Sequence, residues 1–69
     1  MNELQVEVNG QSMSFSLGTT VDDLVDQLHL DRAGVAVAVN HMVIPRSQRH
    51  QTVLKSKDCI EVIHAVGGG

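Results

Sequence analysis

The sequence is almost devoid of aromatic residues and cannot close an internal disulfide bond. Among its 69 residues, Phe15 is the only aromatic one and Cys59 the only cysteine. The core of so short a chain supplies only about 3–5 kcal/mol of net stability, whereas a small-molecule pocket occupies roughly 300–1,000 Å³. We therefore expect one small domain that cannot enclose its own active site, which argues against a self-sufficient enzyme.

The chain also lacks a basic patch, a secretion signal and a long apolar run. Eight acidic residues against five basic ones give a net charge of −3, whereas binding to a phosphate backbone requires clustered Lys and Arg. No segment approaches the roughly 20 apolar residues of a membrane helix, and the N-terminus has no signal-peptide pattern. Nucleic-acid and membrane partners are therefore disfavoured, and the single thiol favours a reducing, cytoplasmic location.

Alternating polar and apolar residues on both sides of Asn9-Gly10 predict a β-hairpin. The apolar positions are 4, 6 and 8 before the pair, and Met13, Phe15 and Leu17 after it. Asn-Gly is the preferred pair for a two-residue turn because both residues tolerate positive φ. Each strand should therefore bury one face and leave the other polar.

A change of period after this hairpin predicts a helix and then further strands. Apolar residues over 21–28 follow a helical spacing, and Thr20 can cap this helix by accepting the Asp23 N–H. The run 35–39 is apolar throughout, which is typical of a strand buried on both faces or central in a sheet. A shorter strand is predicted at 42–44, and the sequence leaves open whether 52–54 forms a further strand at the sheet edge.

The last strand begins near Cys59 and completes the predicted fold. Ile60, Val62 and His64 should share one face, and Glu61, Ile63 and Ala65 the other, along with Cys59. The order β-β-α-β-(β)-β predicts an α+β fold of the β-grasp (ubiquitin-like) type, a mixed four- to five-stranded sheet packed on one helix. In it the first and last strands lie parallel at the centre. We predict a domain over 1–66 and a flexible C-terminal tail over 67–69.

Three consecutive glycines make up that tail, Gly67 to Gly69. Glycine has the highest backbone entropy of any residue, and a chain without Cβ atoms can enter a narrow channel. The α-carboxylate of Gly69, with an ordinary pKa of about 3.3–3.7, is ionised at neutral pH. One interpretation is that a partner enzyme activates this carboxylate with ATP; the other is that the glycines merely fray or are an engineered remnant.

Six segments taken in order resemble the ThiS family of sulfur carriers of bacterial thiamine biosynthesis. They are the hairpin with Asn9-Gly10, Thr20–Leu24, Val37–Asn40, Val43–Arg46, Asp58–Val62 and Val66–Gly69. The resemblance covers essentially the whole chain. One departure is His41, where the family often has Gly or another turn residue; it concerns a turn and not the chemistry.

The resemblance implies a cycle in which Gly69 is modified and Gly68, Gly67 and Val66 are recognised as the tail. A ThiF-like adenylyltransferase would use ATP to adenylate Gly69, and no cofactor would be bound by the carrier. Sulfur from a donor such as a cysteine desulfurase would convert the adenylate to a thiocarboxylate. The thiazole synthase ThiG would then consume that sulfur.

A carrier that docks on two enzymes should keep one face partly apolar. The candidate partner surface is Ile63 and Ala65 on the outward side of the last strand, with Met42 and Val43 nearby. The alternative is that these are ordinary core or scattered surface residues, which need no explanation.

The remaining polar residues are interpreted as structural. The four histidines lack the spacing of zinc ligands, so no metal is expected, and Cys59 fits an inert strand thiol. Arg46 and Arg49 either pair with an acidic partner or lie in a solvated turn, which we favour.

Three other functions remain open from the sequence. A molybdopterin-synthase small subunit also ends in Gly-Gly, and a ubiquitin-like modifier would attach to lysines through Gly69. The third is a non-covalent interaction module in which the tail has no role.

Overall fold

Two hairpins and a crossover helix build one mixed sheet in the computed structural model, which describes residues 2–64. The strands are β1 (Glu3–Val8), β2 (Gln11–Ser16), β3 (Val35–Val39), β4 (Met42–Ile44) and β5 (Cys59–His64). Helix α1 (Val21–Gln27) follows the first hairpin, and a 3₁₀ helix (Arg46–Gln51) follows β4. The strand order is β2-β1-β5-β3-β4. The predicted parallel pairing of the first and last strands next to each other is confirmed, with Val8 opposite Ile60.

Helix α1 packs across one face of this sheet and supplies three of the fully buried side chains of the core, beside Val37 of β3 and Ile60 of β5. Val21, Leu24 and Val25 are fully buried, as the helical spacing predicts. The Thr20 hydroxyl accepts the Asp23 N–H, and the Asp23 carboxylate accepts the Thr20 N–H, both at 3.1 Å. This capping box confirms the predicted helix start and satisfies two backbone donors that the first turn leaves without partners.

The two-residue turns of both hairpins have positive φ. Asn9 and Gly10 have φ of 50° and 83°, and Asn40 and His41, between β3 and β4, have φ of 52° and 70°. Two successive positive φ values define the hairpin turn whose twist matches that of its strands. His41, the residue that departs from the family pattern, therefore occupies a position that favours glycine.

Two exposed apolar residues, Leu17 and Val53, lie outside the five strands. Leu17 is 60% exposed: it lies one residue beyond the end of β2, at the margin of the sheet, where its N–H still donates to the Asn2 carbonyl. Val53 forms a single bridge with Thr20 and is half exposed. The segment around Val53 pairs with the residues that precede α1, so 52–54, which the sequence left open as an edge strand, forms an isolated bridge instead.

Strand β3 is buried on one face only over most of its length. Val35 and Val37 face the core and are buried, whereas Ala36 on the opposite face is exposed. Ala38 is buried on that opposite face because β4 and β5 flank it. Of the two predicted alternatives, burial on both faces holds at Ala38 and fails at Ala36, whereas a position inside the sheet is confirmed, because β3 lies between β5 and β4.

The prediction that Arg49 lies in a solvated turn is wrong. Arg49 is 3% exposed, and its guanidinium donates to the Arg32 carbonyl at 3.1 Å and to the Val35 carbonyl at 2.6 Å. The 3₁₀ helix packs against α1, which carries the Arg49 side chain beneath the loop that leads into β3. Arg46, at the start of the same helix, is exposed as predicted.

Candidate functional site

The predicted tail continues from the end of β5, the middle strand of the sheet. Its predicted site residues Ala65, Val66, Gly67, Gly68 and Gly69 lie outside the described residues, so their roles stay predictions. The described part of the site is the end of the sheet that surrounds His64. This end supplies both the point of attachment of the tail and the surfaces beside it.

Asn9 fastens β5 to β1 just before that end. Its side-chain amide donates to the Val62 carbonyl at 3.3 Å and accepts the Val62 N–H at 2.8 Å. The backbone N–H of Asn9 also donates to the Ile60 carbonyl. Beyond Val8, where β1 ends, the Asn9 side chain thus makes the two hydrogen bonds to Val62 that a further residue of β1 would otherwise make. The sequence identifies Asn9 as a turn residue. It does not reveal that the Asn9 side chain binds the backbone of Val62, because the two residues are 53 positions apart.

Ile63 lies on the face of the sheet that α1 does not cover. Residues directly opposite each other in antiparallel strands point to the same face, so the pairing of Ile63 with Ala36 places both on this side. Val43 joins them, because it pairs with Ala38 on the same side. Ile63 is 60% and Val43 64% exposed. We call Ala36, Val43 and Ile63 the outer patch.

Met42 is exposed but is not part of this outer patch. It pairs with Val39, and therefore lies on the face that carries the core, at the uncovered edge of β4. Successive residues of a strand point to opposite faces, so only one of Met42 and Val43 can lie beside Ile63. The strand register, which the sequence does not reveal, selects Val43. Ala36 is a further residue of the outer patch, and the sequence did not predict it because the apolar run over 35–39 gives no sign of an exposed face.

Acidic side chains border the outer patch. Glu61 lies on the same face, opposite Ala38, and its carboxylate is 3.6 Å from the His41 Nδ1. Glu7 lies on this face too, opposite the half-buried Cys59. A shallow groove lined by residues 33–36, Ile63 and His64 continues the patch to the end of the sheet. The arrangement is an apolar surface with a polar rim, which is the usual composition of a protein-binding site.

The described residues contain no cluster suited to metal chemistry. Within 2–64, no group of three or more His, Cys, Asp or Glu side chains converges. In the same range, neither helix has the length and apolar character that crossing a bilayer requires. The Cys59 N–H donates to the Asn40 side chain. The Cys59 thiol is free and half-buried. The features described at this end of the sheet are therefore the outer patch, its acidic border and the shallow groove beside His64.

Comparison with known proteins first defines the class. The structure of ThiS, a thiamine biosynthesis protein from Geobacter metallireducens, superposes with a TM-score of 0.81 at 28% sequence identity, covering 96% of this chain and 100% of that one. This match confirms the β-grasp fold: a five-stranded mixed sheet with one α-helix.

Sequence comparison then identifies the family. The profile of the ThiS family matches residues 2–69. The sulfur carrier protein ThiS of Escherichia coli (strain K12) is 35% identical over 66 residues, which are 96% of this chain and 100% of that protein. This chain belongs to the ThiS family.

A segment like this chain also occurs inside a larger protein. A protein named thiazole synthase in Paramagnetospirillum magneticum is 32% identical over 66 residues, which are 96% of this chain and 20% of that protein. The chain thus corresponds to a small part of that longer sequence.

Proposed function

We propose that this protein carries sulfur for thiazole formation in thiamine biosynthesis, on the α-carboxylate of Gly69. The observation that carries the proposal is the match to the ThiS family over residues 2–69, which includes the three terminal glycines. The protein acts as a co-substrate of larger enzymes, and the outer patch supplies a surface on which they dock.

The chemistry begins with a carboxylate that is a poor electrophile. A carboxylate oxygen of Gly69 attacks the α-phosphorus of ATP in an activating enzyme similar to ThiF, and pyrophosphate leaves. The terminal sulfur of a donor persulfide, such as that of a cysteine desulfurase, then attacks the acyl carbon and AMP leaves. A second thiol cleaves the resulting acyl disulfide, which releases the thiocarboxylate and leaves a disulfide on the donor side. ATP is bound by the partner, and the carrier holds no cofactor.

A thiazole synthase similar to ThiG is the proposed acceptor of this sulfur. The support is that a segment like this chain forms part of a protein named thiazole synthase, and fusion in one polypeptide is a common sign of joint function. Every reactant named here is found in the cytoplasm, which we propose as the location of the protein.

Intact mass spectrometry tests this function directly. Protein purified from cells that lack the thiazole synthase should be heavier by about 16 Da, the difference between sulfur and oxygen. The matched control is the same protein from cells that lack the activating enzyme, which should show the unmodified mass. Isopeptide adducts on lysines of other proteins would instead indicate a modifier. Accumulation only in cells that lack molybdopterin synthase would indicate the molybdopterin pathway.

The outer patch makes a separate prediction about Ile63. Replacing Ile63 by Asp should lower the efficiency of adenylation about tenfold or more, because a charge at the centre of an apolar contact must be desolvated. Since Ile63 is exposed, the thermal unfolding midpoint should hardly change. The control is Val53→Asp, the same change at an exposed valine outside the patch. Equal effects of the two substitutions, or none, would show that the patch is not the docking surface.

A further inference from the structure

The arginines of this protein are gathered in one groove, although the chain as a whole is acidic. The groove lies between α1 and the 3₁₀ helix and is lined by Asp22, Arg32, Arg46, Arg49 and His50. We call it the arginine groove. It contains three of the five Lys and Arg residues of a chain with a net charge of −3. The groove is therefore a local region of positive charge on a negatively charged protein.

The charge of Arg49 is buried without an acidic partner among residues 2–64. Both of its terminal nitrogens donate to backbone carbonyls, and its Nε has no hydrogen-bond partner there. Carbonyl groups solvate a guanidinium but do not cancel its charge. Because the surrounding protein screens charge less than water does, the field of Arg49 extends into the groove.

The other two arginines differ in how far they are neutralised. Arg32 contacts Asp22 at 3.1 Å and Asp26 at 3.5 Å. Arg46 is exposed, and within the described residues it forms no ion pair. Arg46 is therefore the cation of the groove that is available to an incoming group, and His50 lies beside it.

The groove lies close to the base of the tail. Arg49 bonds to the carbonyl of Val35, and Val35 pairs with His64, the last described residue of β5. The groove thus lies at the same end of the sheet as the outer patch, on the side of α1. An enzyme that receives the tail between these two surfaces can contact both at once.

We propose that the arginine groove docks a carboxylate-bearing segment of the activating enzyme and so orients the carrier as its tail enters the active site. This inference rests on the proposed function. A protein segment is favoured over a small phosphate ion because the donors do not converge: those of Arg49 are used by carbonyls, and Arg32 is held by Asp22. A single bidentate contact with Arg46, supported by the wider field, is sufficient for a carboxylate.

Charge reversal at Arg46 tests the proposal. The Arg46→Glu variant should raise the KM for the carrier in adenylation about tenfold at low salt and leave kcat within about twofold, since a charge at the rim of an interface acts mainly on association. The difference should shrink at high salt because screening weakens the attraction. The matched control is Lys55→Glu, the same change of charge at an exposed residue outside the groove, which should alter KM less than about threefold. Arg46→Gln should lie between wild type and Arg46→Glu.

Direct binding of the carrier to the activating enzyme without ATP separates this proposal from the proposed function. Weaker binding of Arg46→Glu but not of Lys55→Glu supports docking, even if the wild-type chain is never adenylated. Equal effects of both variants, or no effect of either, would overturn it. So would the absence of binding by the wild-type chain. A different result would be that inorganic phosphate, added at constant ionic strength, inhibits binding of the wild type and not that of Arg46→Glu. That result would identify a small-anion site instead.

Discussion

A chain that ends at Gly67 is expected to be inert toward the activating enzyme although it folds normally. Removing Gly68 and Gly69 withdraws the carboxylate by roughly 7 Å if the tail is extended. Attack on the α-phosphorus requires reacting atoms about 3–3.5 Å apart, and a misplacement of about 1 Å can already cost 10²-fold in rate. We therefore expect adenylation, measured as ATP–pyrophosphate exchange, to fall by at least about 10³-fold.

A one-residue extension provides the matched control for this deletion. Adding alanine after Gly69 keeps all three glycines but moves the carboxylate one residue further, and it should also abolish exchange. Both variants retain every described contact of residues 2–64, so their urea unfolding curves should coincide with that of the wild type. Normal exchange by the chain that ends at Gly67 would remove Gly69 from the mechanism.

The features that the sequence predicts correctly are those with a local physical cause. The turn at Asn9-Gly10 follows from the tolerance of these two residues for positive φ, and the start of α1 follows from the capping ability of Thr20. The apolar run over 35–39 follows the hairpin and the helix, and a run of this kind is typical of a strand inside a sheet. The right-handed crossover rule then restricts the arrangement of the strands to a few, which is why the fold class could be predicted.

The features that the sequence does not predict depend on contacts between distant segments. Whether Met42 or Val43 joins Ile63 is decided by the register of β3 and β4, because a shift of one residue exchanges the two faces. The second role of Asn9 depends on Val62, far along the chain. For the tail the prediction rests on residue type and order alone, and it stays a prediction because residues 65–69 lie outside the described residues.

Arg49 is the clearest example of a residue whose role is set by tertiary structure. Arginine in a polar segment is usually solvated, and nothing near Arg49 in the sequence suggests otherwise. The packing of the 3₁₀ helix against α1 places its guanidinium under the loop that begins β3. There it satisfies the carbonyls of Arg32 and Val35, which would otherwise lack these donors. Arg49 therefore links the groove to the strand that pairs with His64.

Replacing Arg49 by Met should destabilise the protein by about 2 kcal/mol. Methionine fills much of the space, but the buried Val35 carbonyl loses a charged donor, at a cost of about 1–3 kcal/mol. The carbonyl of the exposed Arg32 also loses its bond to Arg49, but water can replace that donor. Relief of the desolvation penalty of the buried cation offsets part of this cost. Since the core of so small a domain supplies only about 3–5 kcal/mol, about 1–3 kcal/mol should remain, which corresponds to roughly 1–15% unfolded protein. Urea unfolding at 25 °C measures the loss.

The control for this substitution is Arg46→Met, the same change three residues earlier at an exposed position, which should alter the unfolding free energy by less than about 0.5 kcal/mol. Hydrogen exchange adds a local measurement. In Arg49→Met the amide protons of β3 and of β5 near Val35 and His64 should exchange faster, because the Val35 carbonyl loses its 2.6 Å bond to Arg49. Those of the β1–β2 hairpin should change only with global stability. Equal free energies of unfolding for the two variants would mean that the desolvation cost of the guanidinium cancels the gain from its two hydrogen bonds. Arg49 would then not stabilise the start of β3 beside His64.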